Sequence, residues 1–121
     1  MKSNEDRRIF PRFNLLVDVS VAKHASSEKE KILPSKNISQ GGVCVIAFEQ
    51  SKMGDLMDLK IRLPGMDEDI KIMGKVVWVK EFSIGTTRKS PRFEVGMEFV
   101  GLNDSIFEQI SKYLYNNQNP K

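Results

Sequence analysis

The chain has 121 residues, 40% of them hydrophobic and 29% charged, the balance of one soluble globular domain large enough to bury a core without metal or disulfide staples. Nineteen Lys and Arg against sixteen Asp and Glu leave a net charge of only +3; this argues against a duplex-DNA binder, because that polyanion calls for a concentrated basic face. The single cysteine, Cys44, excludes an internal disulfide, and no apolar run reaches the length of a membrane span, so a cytoplasmic protein without membrane insertion is expected.

Residues 1–12 are polar and basic and end in Phe10-Pro11-Arg12. Acidic residues and the lack of an apolar stretch exclude a signal peptide. Pro11 disfavours a helical Phe10, so this segment reads as an extended, flexible N-terminal arm. From Phe13 the pattern changes to a period of two: Phe13, Leu15, Val17, Val19 and Val21 alternate with Asn14, Leu16, Asp18, Ser20 and Ala22, which predicts a strand. A polar loop over residues 24–31 follows, then a second strand from about Ile32 to Ile38. After Gly41-Gly42, the run Val43-Cys44-Val45-Ile46-Ala47-Phe48 predicts a strand buried on nearly both faces.

Gly54-Asp55 marks a turn, and Met57, Leu59, Ile61 and Leu63 alternate with polar residues in a half-buried strand. Pro64-Gly65 and Asp67-Glu68-Asp69 read as a hairpin turn. Ile70, Ile72, Val76 and Trp78 then share one face of a longer strand, with Gly74 as the expected bulge and Trp78 as a core residue. A loop spans 83–91. Phe93, Val95, Met97 and Phe99 alternate with Glu94, Gly96 and Glu98 in the clearest strand of the chain. A helix is expected over about 104–116: Ser105 and Glu108 fit a capping box, and Ile106, Phe107, Ile110, Tyr113 and Leu114 form one apolar stripe. Six short strands and a helix predict an all-β fold closed into a barrel, because an open sheet of this size would leave edges to protect. The arm, 1–12, and one domain, 13–121, are the expected organisation.

Nothing here resembles a catalytic constellation. His24 is the only histidine and reads as a solvated loop residue. Cys44 lies in the most apolar strand and reads as a small core residue, since a reactive thiolate needs an electropositive, accessible setting. No metal-ligand spacing, P-loop or Gly-x-Ser-x-Gly pattern is present. Asp67, Glu68 and Asp69 have no partner base and read as a solvated turn. Arg88, Lys89 and Arg92 read as a solvated basic loop. The expectation is a protein that is not an enzyme and needs no cofactor or metal.

Two short patterns remain. Arg8 and Arg12 form Arg-x-x-x-Arg, and Asn37, Ser39 and Gly42 form Asn-x-Ser-x-x-Gly within Asn37-Ile38-Ser39-Gln40-Gly41-Gly42. Each alone is common, an arm of basic residues being most often a solubilising tail and the second pattern most often a turn. Together, in this order around the first strand, they are far more specific. Their chemistry converges on a small nucleotide dianion. An arginine fork pairs with phosphate or with guanine O6 and N7, and it stacks on bases. Asn37 offers an amide and Ser39 a hydroxyl. Gly42 allows a positive φ or a close approach to a ligand. If the strand continues through Ser39, Asn37 and Ser39 share one face.

At these residues the sequence resembles the PilZ domain family, bacterial receptors for cyclic di-GMP. Arg8, Arg12, Asn37, Ser39 and Gly42 match the family signature, and Gly74-Lys75-Val76-Val77-Trp78 and Arg92 to Phe99 echo its late strands. The resemblance implies a six-stranded antiparallel β-barrel with a C-terminal helix. It also implies an arm that wraps cyclic di-GMP, with Arg7, Arg8, Arg12, Asn37, Ser39, Gly41 and Gly42 as the ligand-binding set. Asn in place of the commoner Asp implies weaker acceptance from guanine N–H groups. Arg7 implies binding of a stacked pair of ligands. The function expected is a receptor whose arm orders on binding and signals to an unidentified downstream protein. The alternative is a PilZ-like adaptor with little nucleotide affinity. A barrel for single-stranded nucleic acid ranks below both, because the aromatics fall mainly on inward strand positions.

Overall fold

The computed structural model describes residues 17–63, 66–82 and 91–117. The order is β1 (Asp18–Lys23), β2 (Lys31–Ile38), β3 (Gly42–Ala47), β4 (Leu56–Ile61), β5 (Ile70–Phe82), β6 (Arg92–Val100) and α1 (Asp104–Asn117). Every strand is antiparallel to its neighbours, and the sheet closes in the order β1-β2-β3-β6-β5-β4. Closure leaves no strand with an unpaired edge.

The period-two residues fill the barrel. Val19, Val43, Val45, Leu59, Ile61, Ile70, Val76, Val95 and Met97 are buried in one cluster, joined by Ile110 and Leu114 of α1. Two bulges interrupt the alternation, and both decide where side chains point. In β2 the register runs Ser35↔Val45 and then Asn37↔Cys44, so Lys36 is the extra residue. In β5 it runs Val76↔Met97 and then Trp78↔Gly96, so Val77 is the extra residue. A bulge adds one residue on one strand only and therefore reverses the faces beyond it. The expected bulge at Gly74 is corrected: Gly74 pairs in register with Met57, and a Cβ there would meet Leu59 Cδ1 at 2.8 Å.

The helix starts on a different cap from the expected Ser105–Glu108 box. Asn103 Oδ1 accepts from the Ile106 N–H at 2.8 Å, and the Phe107 N–H donates to the Asn103 carbonyl at 2.9 Å. Asn and Ser are equally good caps, so residue type alone does not choose between them. Asn103→Ala should therefore lower stability by about 1 kcal/mol, while Ser105→Ala should change it by less than half of that; urea melts of both variants decide the assignment.

The antiparallel ladder brings four chain ends together. Val17 at the start of β1, the end of β2, the start of β3 and the end of β6 lie at one end of the barrel. The Val17 N–H donates to the buried Ser35 hydroxyl at 3.0 Å, and the Ser35 N–H returns to the Val17 carbonyl at 2.9 Å. The Asn37–Gly42 turn stands at this end, where the chain enters β1. No described helix is long and apolar enough to cross a membrane.

Candidate functional site

The bulge at Lys36 builds the site. Without it, alternation from Leu33 and Ser35, both buried, would carry Asn37 into the barrel. With it, Ile38 points inward, fully buried, and Asn37 points outward, half-buried and paired with Cys44. Lys36 is left on the outer surface, where its Nζ donates to Glu94 Oε2 at 2.7 Å. Among the described residues the Asn37 amide has no hydrogen-bond partner.

Ser39 does not continue the strand, which corrects the expected shared face by simple alternation. β2 ends at Ile38, and Ser39 opens a tight hairpin. Its N–H donates to the Gly42 carbonyl at 2.9 Å, and its Oγ accepts from the Gly41 N–H at 3.1 Å. This is the local side chain-to-backbone bond that short hydroxyl residues favour in turns. With Oγ as acceptor, the Ser39 hydroxyl proton stays available to donate. The Gly41 carbonyl accepts from the Phe99 N–H at 2.9 Å, so β6 clamps the turn from the side.

Gly42 has a reason the sequence did not disclose. Its φ is not positive; among the described glycines Gly54 and Gly101 have that property. A Cβ at Gly42 would lie 2.3 Å from the Met97 carbonyl oxygen. The absent side chain makes room for β6. Arg7, Arg8 and Arg12 lie outside the described residues.

The second bulge supplies a residue that sequence reasoning assigned to the core. Trp78 pairs with Gly96, and Gly96 pairs with Cys44, which pairs with Asn37. These four form one row across the outer face, since Met97 and Val95 on either side of Gly96 point inward. The core role expected of Trp78 is therefore corrected: Val76 is inward, Val77 is the extra residue, and Trp78 turns outward. Its indole lies on Gly96, where a Cβ would be 2.2 Å from Nε1 and 2.4 Å from Cε2. Cys44 also faces the outer row and yet is only 3% exposed, so it is buried without belonging to the barrel interior. The readable signal was the glycine directly opposite a tryptophan, but it emerges only once the register is known.

The remaining basic candidate is moved as well. Arg92 is the first residue of β6, and its Cζ lies 4.3 Å from the centroid of the Phe48 ring, a cation–π stack on a ring that is 61% exposed. Arg88 and Lys89 lie outside the described residues. His24 Nδ1 and Asp58 Oδ1 are 2.8 Å apart at the other end of the barrel. The Lys60 ammonium holds the Glu30 carboxyl below its usual range, and Glu30 in turn raises Lys60. Among the described residues no group of acidic, histidine or cysteine side chains could hold a metal ion.

The PilZ domain family model matches residues 6–116. The chain belongs to the PilZ domain family. No curated protein matches it by sequence, but solved structures share its fold. The PilZ domain with c-di-GMP of YcgR from Escherichia coli is 11% identical with a TM-score of 0.72, over 93% of this chain and 92% of that one. The Bacillus subtilis inhibitor of motility MotI/DgrA is 22% identical with a TM-score of 0.69, over 93% of this chain and 51% of that one. The K. pneumonia MrkH–c-di-GMP complex is 20% identical with a TM-score of 0.71, over 91% and 52%. The chain thus spans about half the length of MotI/DgrA and MrkH. The six-stranded antiparallel barrel with a C-terminal helix is the PilZ fold, as the sequence implied.

Proposed function

We propose that this PilZ domain is a receptor for cyclic di-GMP, acting by binding and not by catalysis. One observation carries the reading: the bulge at Lys36 turns Asn37 outward into a row that ends in the indole of Trp78. A polar amide for a base edge and a flat aromatic face for a base plane are the two elements of guanine recognition. The Ser39 hydroxyl lies on the turn that follows Asn37, with its proton to donate. The chain enters β1 at the same end, and the arm that carries Arg7, Arg8 and Arg12 precedes β1 in sequence. Arginines supply what the row lacks, positive charge for the phosphates and bidentate donors for guanine O6 and N7. Gly41 and Gly42 serve the set by shaping the turn. Arg7 adds a further stacking guanidinium and supports a stacked pair of ligands.

Binding energy from contacts made only in the bound state orders the arm, residues 1–12, over the domain, 13–121. The ordered arm presents a new surface to a downstream protein in the cytoplasm.

Isothermal titration calorimetry with cyclic di-GMP, with GTP and a short single-stranded oligonucleotide as controls, tests the receptor reading. Selective binding is expected, and near two ligands per chain if Arg7 acts as proposed. A folded protein that gives no heat would leave the adaptor reading in its place. Arg8→Ala and Arg12→Ala should each remove charge-assisted bonds worth roughly 1.5–3 kcal/mol, at least tenfold in Kd. On the arm assignment the melting temperature should stay unchanged. Unfolding of either variant would contradict the arm assignment.

A further inference from the structure

The row that ends in Trp78 is bracketed by two carboxylates. On β6, Val95 and Met97 are buried on either side of Gly96, so Glu94 and Glu98 point outward with it. Each stands two residues from Gly96, roughly 6.6 Å along the strand. The Trp78 indole lies on Gly96, so a base stacked on the indole has one acidic side chain off each end.

The two differ in what they already hold. The Glu94 side chain is only 15% exposed, and its Oε2 accepts from Lys36 Nζ at 2.7 Å. Glu98 is exposed, and among the described residues it forms no ion pair, although Lys75 stands directly opposite it on β5. Its other neighbour across the ladder is Gly42. That residue has no side chain to stand between Glu98 and the turn that carries Ser39. Of the two carboxylates, Glu98 is the one with its acceptor capacity unspent on the outer face.

The Asn37 amide oxygen is neutral, while the guanine edge carries two adjacent donors, N1–H and the 2-amino group. A carboxylate accepts both at once, in the bidentate geometry it uses with arginine. We infer that Glu98 receives the edge of the guanine stacked on Trp78, which makes it a specificity-determining residue of the site. The inference rests on the receptor reading. The sign of a substitution separates this role from that of a bystander. A carboxylate that merely lies near the phosphates repels them, so neutralising it tightens binding. A carboxylate that accepts from the base makes charge-assisted bonds, so neutralising it weakens binding.

The test compares wild type, Glu98→Gln, Glu98→Asp, Trp78→Ala and the Trp78→Ala/Glu98→Gln double variant. Each is titrated by calorimetry with cyclic di-GMP and with its hypoxanthine analogue, which lacks the guanine 2-amino group. Thermal melts check that each is folded. Glu98→Gln should bind cyclic di-GMP about tenfold more weakly, with a smaller loss for the analogue. In the Trp78→Ala background the same substitution should lose most of its effect, because the base is no longer held over Gly96. Glu98→Asp keeps the charge and should bind better than Glu98→Gln; this variant preserves the test if the glutamine disturbs the strand. Three results overturn the inference: equal or tighter binding by Glu98→Gln, an equal loss with both ligands, or a loss undiminished in Trp78→Ala. Wild type that binds neither ligand overturns the receptor reading first, and this inference falls with it.

Discussion

Gly42→Ala should cost the protein roughly 3 kcal/mol of stability, a fall in Tm of roughly 10–15 °C for a domain of this size. The new methyl would lie 2.3 Å from the Met97 carbonyl oxygen and 3.3 Å from its carbon. Both are backbone atoms of β6, so no side chain can rotate out of the way. Relief requires β3 and β6 to separate at the pairs Gly42↔Glu98 and Val43↔Met97, next to the buried Val43 and Met97 side chains. The Phe99 N–H bond to the Gly41 carbonyl would open with them. The last position of the Asn-x-Ser-x-x-Gly signature is therefore held by the barrel. Thermal melts read the effect. A variant that melts like wild type but no longer binds cyclic di-GMP would return Gly42 to a role in ligand approach.

Trp78→Ala should have the opposite profile, weakening cyclic di-GMP by roughly 1–3 kcal/mol, the range for one base stacked on an aromatic ring. Stability should fall by much less than for a core tryptophan, because the indole covers the outer face of Gly96 and fills no interior space. Gly96→Ala tests the same platform from beneath. A Cβ 2.2 Å from the indole Nε1 forces the ring off the strand, and the flat surface in the row with Asn37 is lost. Trp78 is the only tryptophan in the chain, so its fluorescence reports on this row alone. The emission of Gly96→Ala should shift to the red as the ring moves into water, and its affinity should fall alongside. Unchanged affinity in both variants would remove Trp78 from the site and leave the stacking to the arginines.

Much of this was legible in the chain. Period-two runs such as Phe93 to Phe99 and the stripe Ile110–Leu114 announced six strands and a helix, because side-chain alternation and helical spacing are local properties of any amphipathic segment. The resemblance to the PilZ family rested on Arg8, Arg12, Asn37, Ser39 and Gly42, whose types and spacing are written in the sequence. The choice of helix cap was less legible, since Asn103 and Ser105 are both competent and only the path of the chain after Gly101 selects one.

By itself, the sequence determined the element order, the closed barrel, and the chemistry of arginine, amide and hydroxyl in the motif. Only the tertiary structure decided which way that chemistry faces. A bulge is invisible in a hydrophobic pattern, because one extra residue is defined by its partner strand and not by its own neighbours. Lys36 and Val77 are such residues, and each reverses the faces of the strand beyond it. The first turns Asn37 out of the core, and the second does the same for Trp78. The contact that fixes Gly42 likewise depends on a strand remote in sequence, so no local reading could assign it.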